Sequence, residues 1–241
     1  IADVISAQAN IERVTEMLET KPTIVDSPAV IEKYGDTFSP KKENWEPIRG
    51  DIEFKDVTFK YPDGNEYILE HFNLKIPAGT TVAIVGETGA GKSTLVNIAC
   101  RFFEPTEGQV LIDGKDYRER SQLWLHSSLG YVLQNPHLFS GTVRENIRYG
   151  RLDATDQEIE EACRMACADE FIQRMPDGYD TYIEQGGTNV SGGQKQRLCI
   201  ARAILRQPKV LILDDSTSAV DTATDAKIRK AFREEKVGGQ A

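Results

Sequence analysis

Eight consecutive residues, Gly86–Ser93, form the segment whose residue types and spacing are best suited to chemistry. They read G-E-T-G-A-G-K-S and match the phosphate-loop pattern G-x-x-x-x-G-K-[ST] at every fixed position. The glycines let the backbone curl so that successive N–H groups point at phosphate oxygens, and a following helix N-terminus adds partial positive charge. Because Lys92 supplies a full positive charge and Ser93 a hydroxyl for Mg²⁺, the loop predicts a site for β- and γ-phosphates with magnesium.

The residues that we assign to this phosphate site run from the first glycine to the residue after the serine: Gly86, Glu87, Thr88, Gly89, Ala90, Gly91, Lys92, Ser93 and Thr94. Thr94 is included as a neighbour on the helix side of the loop. A β-branched run, Thr80–Val85, leads into the loop and predicts a strand, and a helical pattern follows from Ser93 to Phe103. A glycine-rich turn with a chance lysine is the alternative, and the order of strand, loop and helix argues against it.

A carboxylate follows a second apolar run. Val210–Leu213 predicts a strand that is buried on both faces, and Asp214 comes directly after it. Ligands gather at the carboxyl ends of the strands in open parallel sheets, so Asp214 can meet the Mg²⁺ through a water molecule. An aspartate after an apolar run is common by itself, and the phosphate loop gives this one its weight.

The composition describes a globular chain with an acidic balance. Of 241 residues, 39% are hydrophobic and 28% are charged, and the net charge is −9. This balance disfavours general affinity for nucleic-acid phosphates or anionic lipids, so any phosphate site must be local. The four cysteines form no CxxC pair. We interpret Cys163 and Cys167, four residues apart on a predicted helix, as core or interface thiols rather than metal ligands.

The first 50 residues differ from the rest of the chain. Ile1–Thr20 has the spacing of an amphipathic helix, and residues 21–50 hold four prolines among many charges. We interpret residues 21–50 as an extended connector rather than a core element. The sequence therefore predicts two parts, a helix and connector over residues 1–48 and a domain over residues 49–241. The chain begins with Ile1 and has the character of a fragment of something longer.

The domain opens with a pattern typical of antiparallel strands. Apolar residues alternate over Ile52–Phe54 and then over Val57–Tyr61 in the opposite phase, which predicts a β-bulge near Asp56. A turn at Pro62–Asn65 and a further alternation over Phe72–Ile76 complete a hairpin.

Later segments predict helices between buried strands. Thr155 and Glu158 form a capping box ahead of a helix that extends to about Met175, and a second helix runs from about Gly192 to Arg206. With the strand at Val210–Leu213, this order predicts a parallel α/β architecture preceded by a small antiparallel sheet.

One further motif, V-S-G-G-Q at Val190–Gln194, completes a resemblance. Over roughly residues 50–232 the chain resembles the nucleotide-binding domain of ABC transporters. Ser191 is a suitable helix N-cap, and the two glycines allow close backbone approach to an anion. The resemblance assigns Ser191, Gly192, Gly193 and Gln194 to the γ-phosphate of an ATP that the phosphate loop of a second domain holds.

The resemblance implies a fold, cofactors and partners. The fold is α/β, a P-loop NTPase (RecA-like) core with an antiparallel β subdomain and a helical subdomain that carries the signature motif. The cofactors are ATP and Mg²⁺. The partners are a second nucleotide-binding domain, in a head-to-tail hetero- or homodimer, and the transmembrane domain of the same transporter; no nucleic acid is implied.

Three other positions match the family's motifs. Tyr61 lies where the family places an aromatic residue that stacks on adenine, although a tyrosine that fills a strand face is the alternative. Gln134 matches the glutamine that senses Mg²⁺ and the attacking water, and a solvated loop glutamine is the alternative. Ser218–Asp221 resembles the D-loop, with valine in place of the more usual leucine.

Two stretches resemble exporters rather than importers. Phe139–Ile147 is similar to the exporter segment that follows the glutamine loop. Glu184 lies where an exporter loop touches the coupling helices of the membrane domain, although it could equally be a solvated charge. The opening helix resembles the end of a last transmembrane helix. These features imply a domain at the cytoplasmic face of the cell membrane.

The chain departs from the family's pattern at two places. Asp215 stands where the family usually has the glutamate that acts as general base, so we expect slow hydrolysis at this chain's own site. This departure suggests a heterodimer with unequal sites; a homodimer in which Asp215 works as base through a repositioned water is the alternative. The family's switch histidine has no counterpart before Ala241, so the domain looks truncated.

Three functions compete on these observations. The first is the ATP-driven motor of an exporter, in which hydrolysis is transport-coupled. The second is a nucleotide-clamped regulatory module with little turnover, which Asp215 favours. The third, a soluble ABC ATPase of DNA repair or translation, is disfavoured because no long coiled-coil insertion separates Ser93 from Ser191 and because the net charge is acidic.

Overall fold

The structure is a computed structural model that describes residues 22–87, 91–132, 135–213, 223–224, 226–228 and 230–231. Its α-helices are α1 Pro28–Tyr34, α2 Lys92–Ala99, α3 Gln122–Ser128, α4 Val143–Arg148, α5 Asp156–Met165, α6 Asp169–Gln173 and α7 Gly192–Leu205. Its strands are β1 Ile52–Phe59, β2 Leu69–Ile76, β3 Glu107–Ile112, β4 Lys115–Asp116, β5 Leu129–Val132, β6 Gly141–Thr142, β7 Tyr182–Ile183 and β8 Val210–Leu213. Short 3₁₀ helices lie at Lys42–Asn44, Tyr117–Glu119, Gly178–Asp180 and Gln185–Gly187.

The α/β class predicted from the sequence is confirmed, with an antiparallel sheet and a parallel pair of strands. Four strands form the antiparallel sheet in the order β2-β1-β3-β4. Ile52 lies opposite Ile76 on one side and Ile112 on the other, so the predicted hairpin of β1 and β2 is present, with β2 at the edge of the sheet and β1 inside it. β5 and β8 pair in parallel, with Val132 opposite Leu213.

The predicted bulge in β1 is present. The register of β1 shifts between Phe54 and Val57 against β2 and between Lys55 and Thr58 against β3. Asp56 takes a left-handed backbone conformation at φ 52°, which changes the face that the following residues present. Residues on both sides of the bulge are therefore buried, and the strand leads on toward Tyr61.

Side chains stabilise the bulge from the neighbouring strand. His71 of β2 also has a positive φ, of 49°, and its Nδ1 lies 2.8 Å from Oδ1 of Asp56. The amide side chain of Asn73 accepts the Asp56 N–H at 2.9 Å. The hydrogen bond to Asp56, helped by the nearby carboxylates of Glu107 and Glu70, raises the pKa of His71.

We expect His71 to titrate above its ordinary value of 6.5. Because Asp56 favours the imidazolium, the bond stabilises the bulge at low pH and is lost as the pH rises through the raised pKa. A pH titration of the histidine C–H signals by NMR should show the raised pKa in the native chain and its return toward 6.5 in Asp56→Asn. Asp63→Asn, in the hairpin turn, is the control and should leave it raised; a His71 that titrates normally in the native chain would contradict the expectation.

The predicted strand over Thr80–Val85 is wrong. The structure places this segment outside any strand, and Val85 is 91% exposed. A strand needs a hydrogen-bonded neighbour, and within the described residues no strand pairs with this segment. The β-branched residues of this segment have a high propensity for strands. A strand forms, however, only where the tertiary structure places another strand beside it. β8 is also less enclosed than predicted, since all four of its residues are half-buried.

Two predicted helices are shorter than expected, each because one residue leaves helical geometry. α2 ends at Ala99 instead of reaching Phe103, and Arg101 just beyond it has φ 57°. The helix predicted to extend to about Met175 divides into α5 and α6 at Cys167, where φ is 54°. The prediction of α7 is confirmed.

The buried side chains form two hydrophobic clusters. One packs the antiparallel sheet against α2 and α3, and it includes Phe54, Leu95 and Trp124. The other packs α4–α7 together and includes Ile159 and Leu198. The helix after the phosphate loop and the helix after S-G-G-Q therefore belong to different cores. Burial raises the pKa of Cys163 in the second cluster to about 12, so this thiol stays protonated at neutral pH and acts as a core residue.

The connector is more ordered than the sequence predicted. It contains α1, which begins after Ser27 with the Ser27 Oγ accepting the Val30 N–H at 3.3 Å. Val30 and Tyr34 are buried, so the interpretation as an extended segment outside the core is wrong over this stretch. The prediction missed this because the buried face consists of only two residues. The helix predicted over residues 1–20 lies outside the described residues.

In the part of the chain that the structure describes, we find no helix with the length and apolar character required to traverse a lipid bilayer.

Candidate nucleotide site

Gly91 sets the start of the helix that follows the phosphate loop. Its φ of 83° is left-handed, and a Cβ there would lie 3.2 Å from Cγ2 of Ile68. The Leu95 N–H donates to the Gly91 carbonyl at 2.9 Å, and the Leu95 and Ile98 side chains are buried in the core. The N-terminus of α2 is therefore fixed in place by its own hydrophobic face. Thr88, Gly89 and Ala90 lie outside the described residues.

Lys92 and Ser93 are the first two residues of this helix. The Lys92 ammonium donates to the carbonyl of Gly86, so the lysine curls back across the base of the loop. Gly86 and Glu87 are exposed, and so is Ser93. The described part of the loop thus places a cation and a hydroxyl in the first turn of α2, at a helix N-terminus, which fits a phosphate group with Mg²⁺.

Thr94 points the other way and meets Tyr61. Thr94 is buried, and its Oγ1 lies 2.8 Å from the Tyr61 hydroxyl oxygen. The Tyr61 ring also packs edge-on against Phe59 and Phe103, with centroid distances of 4.9 and 5.0 Å. Tyr61, two residues beyond β1, therefore packs against the hydrophobic cluster of the sheet and is joined to the first turn of α2, and its stacking on adenine stays a prediction.

The S-G-G-Q motif forms a capping box at the start of α7. The Ser191 Oγ accepts the Gln194 N–H at 3.2 Å, and the Gln194 side chain accepts the Ser191 N–H at 3.0 Å. Ser191 and Gly192 are exposed, while Gly193 and Gln194 are half-buried. The buried residues of α7 anchor the helix, so its N-terminus is directed outward as the prediction for an anion requires.

Glu184 bonds within its own loop. Its carboxylate accepts from the Thr188 hydroxyl at 2.7 Å, and its N–H donates to Oδ1 of Asn189 at 3.0 Å. The contacts favour a local structural role, and the assignment of Glu184 to a membrane-domain contact stays a prediction.

Sequence reasoning missed a buried polar cluster between α4 and α7. Asn146 is fully buried and donates to the carbonyls of Phe139 and Thr142 at 2.9 and 3.1 Å. The Arg202 guanidinium donates to Asn146 Oδ1 at 3.0 Å and to the His137 carbonyl at 2.9 Å. This cluster ties the signature-motif helix to the segment that begins just after Gln134. The polar Asn146 between the apolar Val143 and Ile147 is the sequence signal that could have revealed it.

An aromatic patch lies beside this cluster, and we define it as His137, Phe139 and Tyr149. The Phe139 ring lies 5.2 Å from the His137 ring and 5.0 Å from the Tyr149 ring. Phe139 and Tyr149 are about half exposed. The Arg202 guanidinium lies 5.4 Å from the centre of the Phe139 ring, so a cation–π contact joins the polar cluster to the patch.

Gln134, Asp214 and Asp215 lie outside the described residues, as does the D-loop segment Ser218–Asp221. The two strands that precede them in sequence end at one edge, because Val132 lies opposite Leu213 in a parallel pair. The loops after both strands therefore start from the same edge, where parallel sheets collect ligands.

The comparisons with known proteins agree with one another. A family model described as ABC transporter matches residues 69–218. The uncharacterized ABC transporter ATP-binding protein YfiC of Bacillus subtilis (strain 168) is 46% identical over 95% of this chain and 36% of its own length. The mitochondrial potassium channel ATP-binding subunit of Xenopus tropicalis is 50% identical over 77% of this chain and 27% of its own length.

The solved structure of a bacterial Atm1-family ABC exporter with ATP bound is also similar. It matches with a TM-score of 0.82 and 34% identity, over 96% of this chain and 38% of the exporter chain. This chain therefore spans between 27% and 38% of the length of these three proteins.

Proposed function

The chain belongs to the ABC transporter family, and on that premise we propose that it is the ATP-binding motor domain of an exporter. One observation carries the proposal: two outward-facing helix N-termini, after the phosphate loop and after S-G-G-Q, stand on separate hydrophobic cores. A generic phosphate-loop enzyme needs only the first of them. The second supplies an anion clamp for the nucleotide of another domain.

The chemistry of the proposed site is positioning and charge stabilisation. When bound, Mg·ATP supplies the phosphoryl group that is transferred to water. Lys92 would bind phosphate oxygens, and Ser93, Gln134 and Asp214 would hold the metal. Tyr61 stacks on the adenine. Gln134 orients the attacking water, and Asp215 accepts its proton.

A second domain completes the site in this proposal. Ser191–Gln194 of one domain closes on the γ-phosphate held by the phosphate loop of the other, so each site uses residues from both chains. Because Asp215 is shorter than glutamate, the site built on this chain turns over slowly, and its intact signature motif serves a competent site on a partner. The pair is therefore a heterodimer with unequal sites.

The transmembrane domain of the same transporter is the proposed mechanical partner, with this domain at the cytoplasmic face of the membrane. The similarity to an Atm1-family exporter over 96% of this chain and 38% of the exporter supports it. The aromatic patch supplies a contact surface next to the loop that holds Gln134. A rigid support for this surface comes from Asn146 and Arg202.

A nucleotide-clamped regulatory module is the second candidate function. The relative that is 50% identical to this chain is named as the ATP-binding subunit of a potassium channel. Asp215 fits that reading as well, since a retained ATP can hold two domains together without being consumed.

The Tyr61 assignment tests the proposed site directly. In the full-length protein, Tyr61→Ala should weaken equilibrium binding of Mg·ATP about fivefold, because stacking of a base on an aromatic ring is worth at least about 1 kcal/mol. Tyr61→Phe keeps the ring, and its loss of affinity for Mg·ATP should be less than about half of the loss in Tyr61→Ala. Isothermal titration calorimetry measures both affinities.

Tyr67→Ala is the matched control, since Tyr67 lies on the same hairpin and is about half exposed. It should bind Mg·ATP with native affinity. Native affinity in Tyr61→Ala would remove Tyr61 from the site, whereas a native protein that binds no Mg·ATP would overturn the proposed function itself.

A further inference from the structure

The connector, residues 22–48, is fastened to the domain by a carboxylate in front of α1. Oδ1 of Asp26 accepts from Nη1 of Arg101 at 3.1 Å. Both carboxylate oxygens lie 3.2 Å from the backbone nitrogen of Gln122, which opens α3. The Asp26 side chain is 15% exposed and the Arg101 side chain 2% exposed, so this ion pair is largely withdrawn from water. A carboxylate at a helix N-terminus is also favoured by the helix dipole.

Arg101 remains paired when Asp26 is set aside. Its Nε donates to Glu104 at 2.9 Å, and its Nη1 donates to the carbonyls of Tyr117 and Arg120 at 3.2 and 3.0 Å. Removal of Asp26 therefore leaves the buried cation with partners. A substitution of Asp26 therefore tests the connector and leaves no buried charge unpaired. A substitution of Arg101 would instead leave the largely buried Asp26 carboxylate without its cation.

Glu46 forms a second fastening at the other end of the connector. Its carboxylate accepts from the Tyr34 hydroxyl at 2.9 Å and from the Arg120 guanidinium at 2.8 Å. Its carbonyl accepts from the indole Nε1 of Trp124 at 2.8 Å. Since Trp124 lies in α3, both fastenings converge on that helix.

α3 stands between the connector and the proposed nucleotide site. It runs directly into β5, which ends two residues before Gln134. His126 of α3 has its Nε2 2.8 Å from the carbonyl of Cys100, at the end of α2. α3 is thus joined directly to the strand before Gln134 and, through His126, to the end of the helix that carries Lys92 and Ser93.

We propose that the connector is a strap that couples the position of the preceding chain to ATP hydrolysis, and that Asp26 is a positioning residue for that reaction. The inference rests on the proposed function. Asp26 touches no nucleotide. It acts by holding α3 and the end of α2 in a fixed position relative to the connector.

Single-turnover hydrolysis of Mg·ATP by the full-length subunit in lipid nanodiscs, with the subunit in excess over ATP, tests the strap at this chain's own site. Asp26→Ala should lower the single-turnover rate about threefold to fivefold while the affinity for Mg·ATP changes less than twofold, because the nucleotide contacts are intact and only their alignment changes. Asp26→Glu keeps a carboxylate and should recover at least half of the lost rate. Asp36→Ala is the matched control, since Asp36 lies in the same connector and its carboxylate accepts only the nearby Phe38 and Ser39 N–H groups among the bonds described.

Hydrogen exchange of residues 22–48 provides a second readout. Addition of Mg·ATP should slow exchange in the connector of the native protein and of Asp36→Ala, and not in Asp26→Ala. A native single-turnover rate in Asp26→Ala, or an equal loss in Asp36→Ala, would overturn the strap while leaving the proposed function in place. A native protein that neither binds nor hydrolyses Mg·ATP would overturn both.

Discussion

Replacement of Asp215 by glutamate is expected to raise single-turnover hydrolysis of Mg·ATP at this chain's own site by tenfold to about 100-fold. Aspartate is shorter than glutamate by one C–C bond, about 1.5 Å. A general base that stops short of the attacking water loses rate steeply, since a misplacement of about 1 Å can cost on the order of 10²-fold. Rapid-quench measurements with the full-length subunit in excess over ATP, with and without its candidate partner, give the rate at this site.

Asp153→Glu is the control for this substitution. The Asp153 side chain is 89% exposed, so the control lengthens an aspartate by the same single bond on the surface of the domain. It should leave the rate unchanged. If the native subunit alone hydrolyses at nearly the rate of Asp215→Glu, Asp215 is a working base and a homodimer is the better account. If both forms retain ATP intact, the regulatory clamp replaces the motor.

Gly108→Ala should lower the free energy of unfolding of the chain by about 4 kcal/mol, a cost typical of severe backbone strain. Gly108 lies in β3 at φ 83°, where a side chain is strained by itself. A Cβ there would stand 2.1 Å from the Asp56 carbonyl oxygen and 2.7 Å from that of Lys55. Both obstacles are backbone atoms of the bulge, so neither can rotate away. Urea denaturation followed by circular dichroism measures the loss.

Gly114→Ala separates the clash from the backbone preference. Gly114 has nearly the same φ, 82°, and a Cβ there would meet nothing within 4 Å. This variant should lose only about 1–2 kcal/mol, the cost of the left-handed conformation. Equal losses in the two variants would show that the bulge yields to the methyl group. A larger loss in Gly108→Ala should be accompanied by weaker Mg·ATP binding, because the bulge sets the face on which Tyr61 lies.

The residues of the proposed site were predicted as a set, and their surroundings were not. Lys92 and Ser93 follow from one contiguous motif, and the Ser191 capping box follows from four adjacent residues. The bond between Tyr61 and Thr94 joins positions 33 residues apart, and that between Asn146 and Arg202 joins positions 56 apart. Side-chain spacing along a helix or strand carries no information about such pairs.

The limits of helices and strands were likewise predicted correctly only where neighbouring residues determine them. The capping box at Thr155 and the bulge at Asp56 were predicted correctly, because each depends on hydrogen bonds or alternation within a few residues. The strand at Thr80–Val85 was not, because a strand exists only where another strand pairs with it. The break at Cys167 was also missed, since the apolar spacing continues through a residue whose backbone is left-handed.

The sequence by itself determined the phosphate loop, the signature motif, the departure at Asp215 and the order of the antiparallel and helical parts. These are carried by residue types at short spacing, where local hydrogen bonding and side-chain alternation act. The tertiary structure decided that the connector is fastened to α3 through Asp26 and Glu46, and that the helices after the phosphate loop and after S-G-G-Q stand on separate cores. The Asp26–Arg101 pair joins residues 75 positions apart, and only packing of whole elements brings such residues within hydrogen-bonding distance.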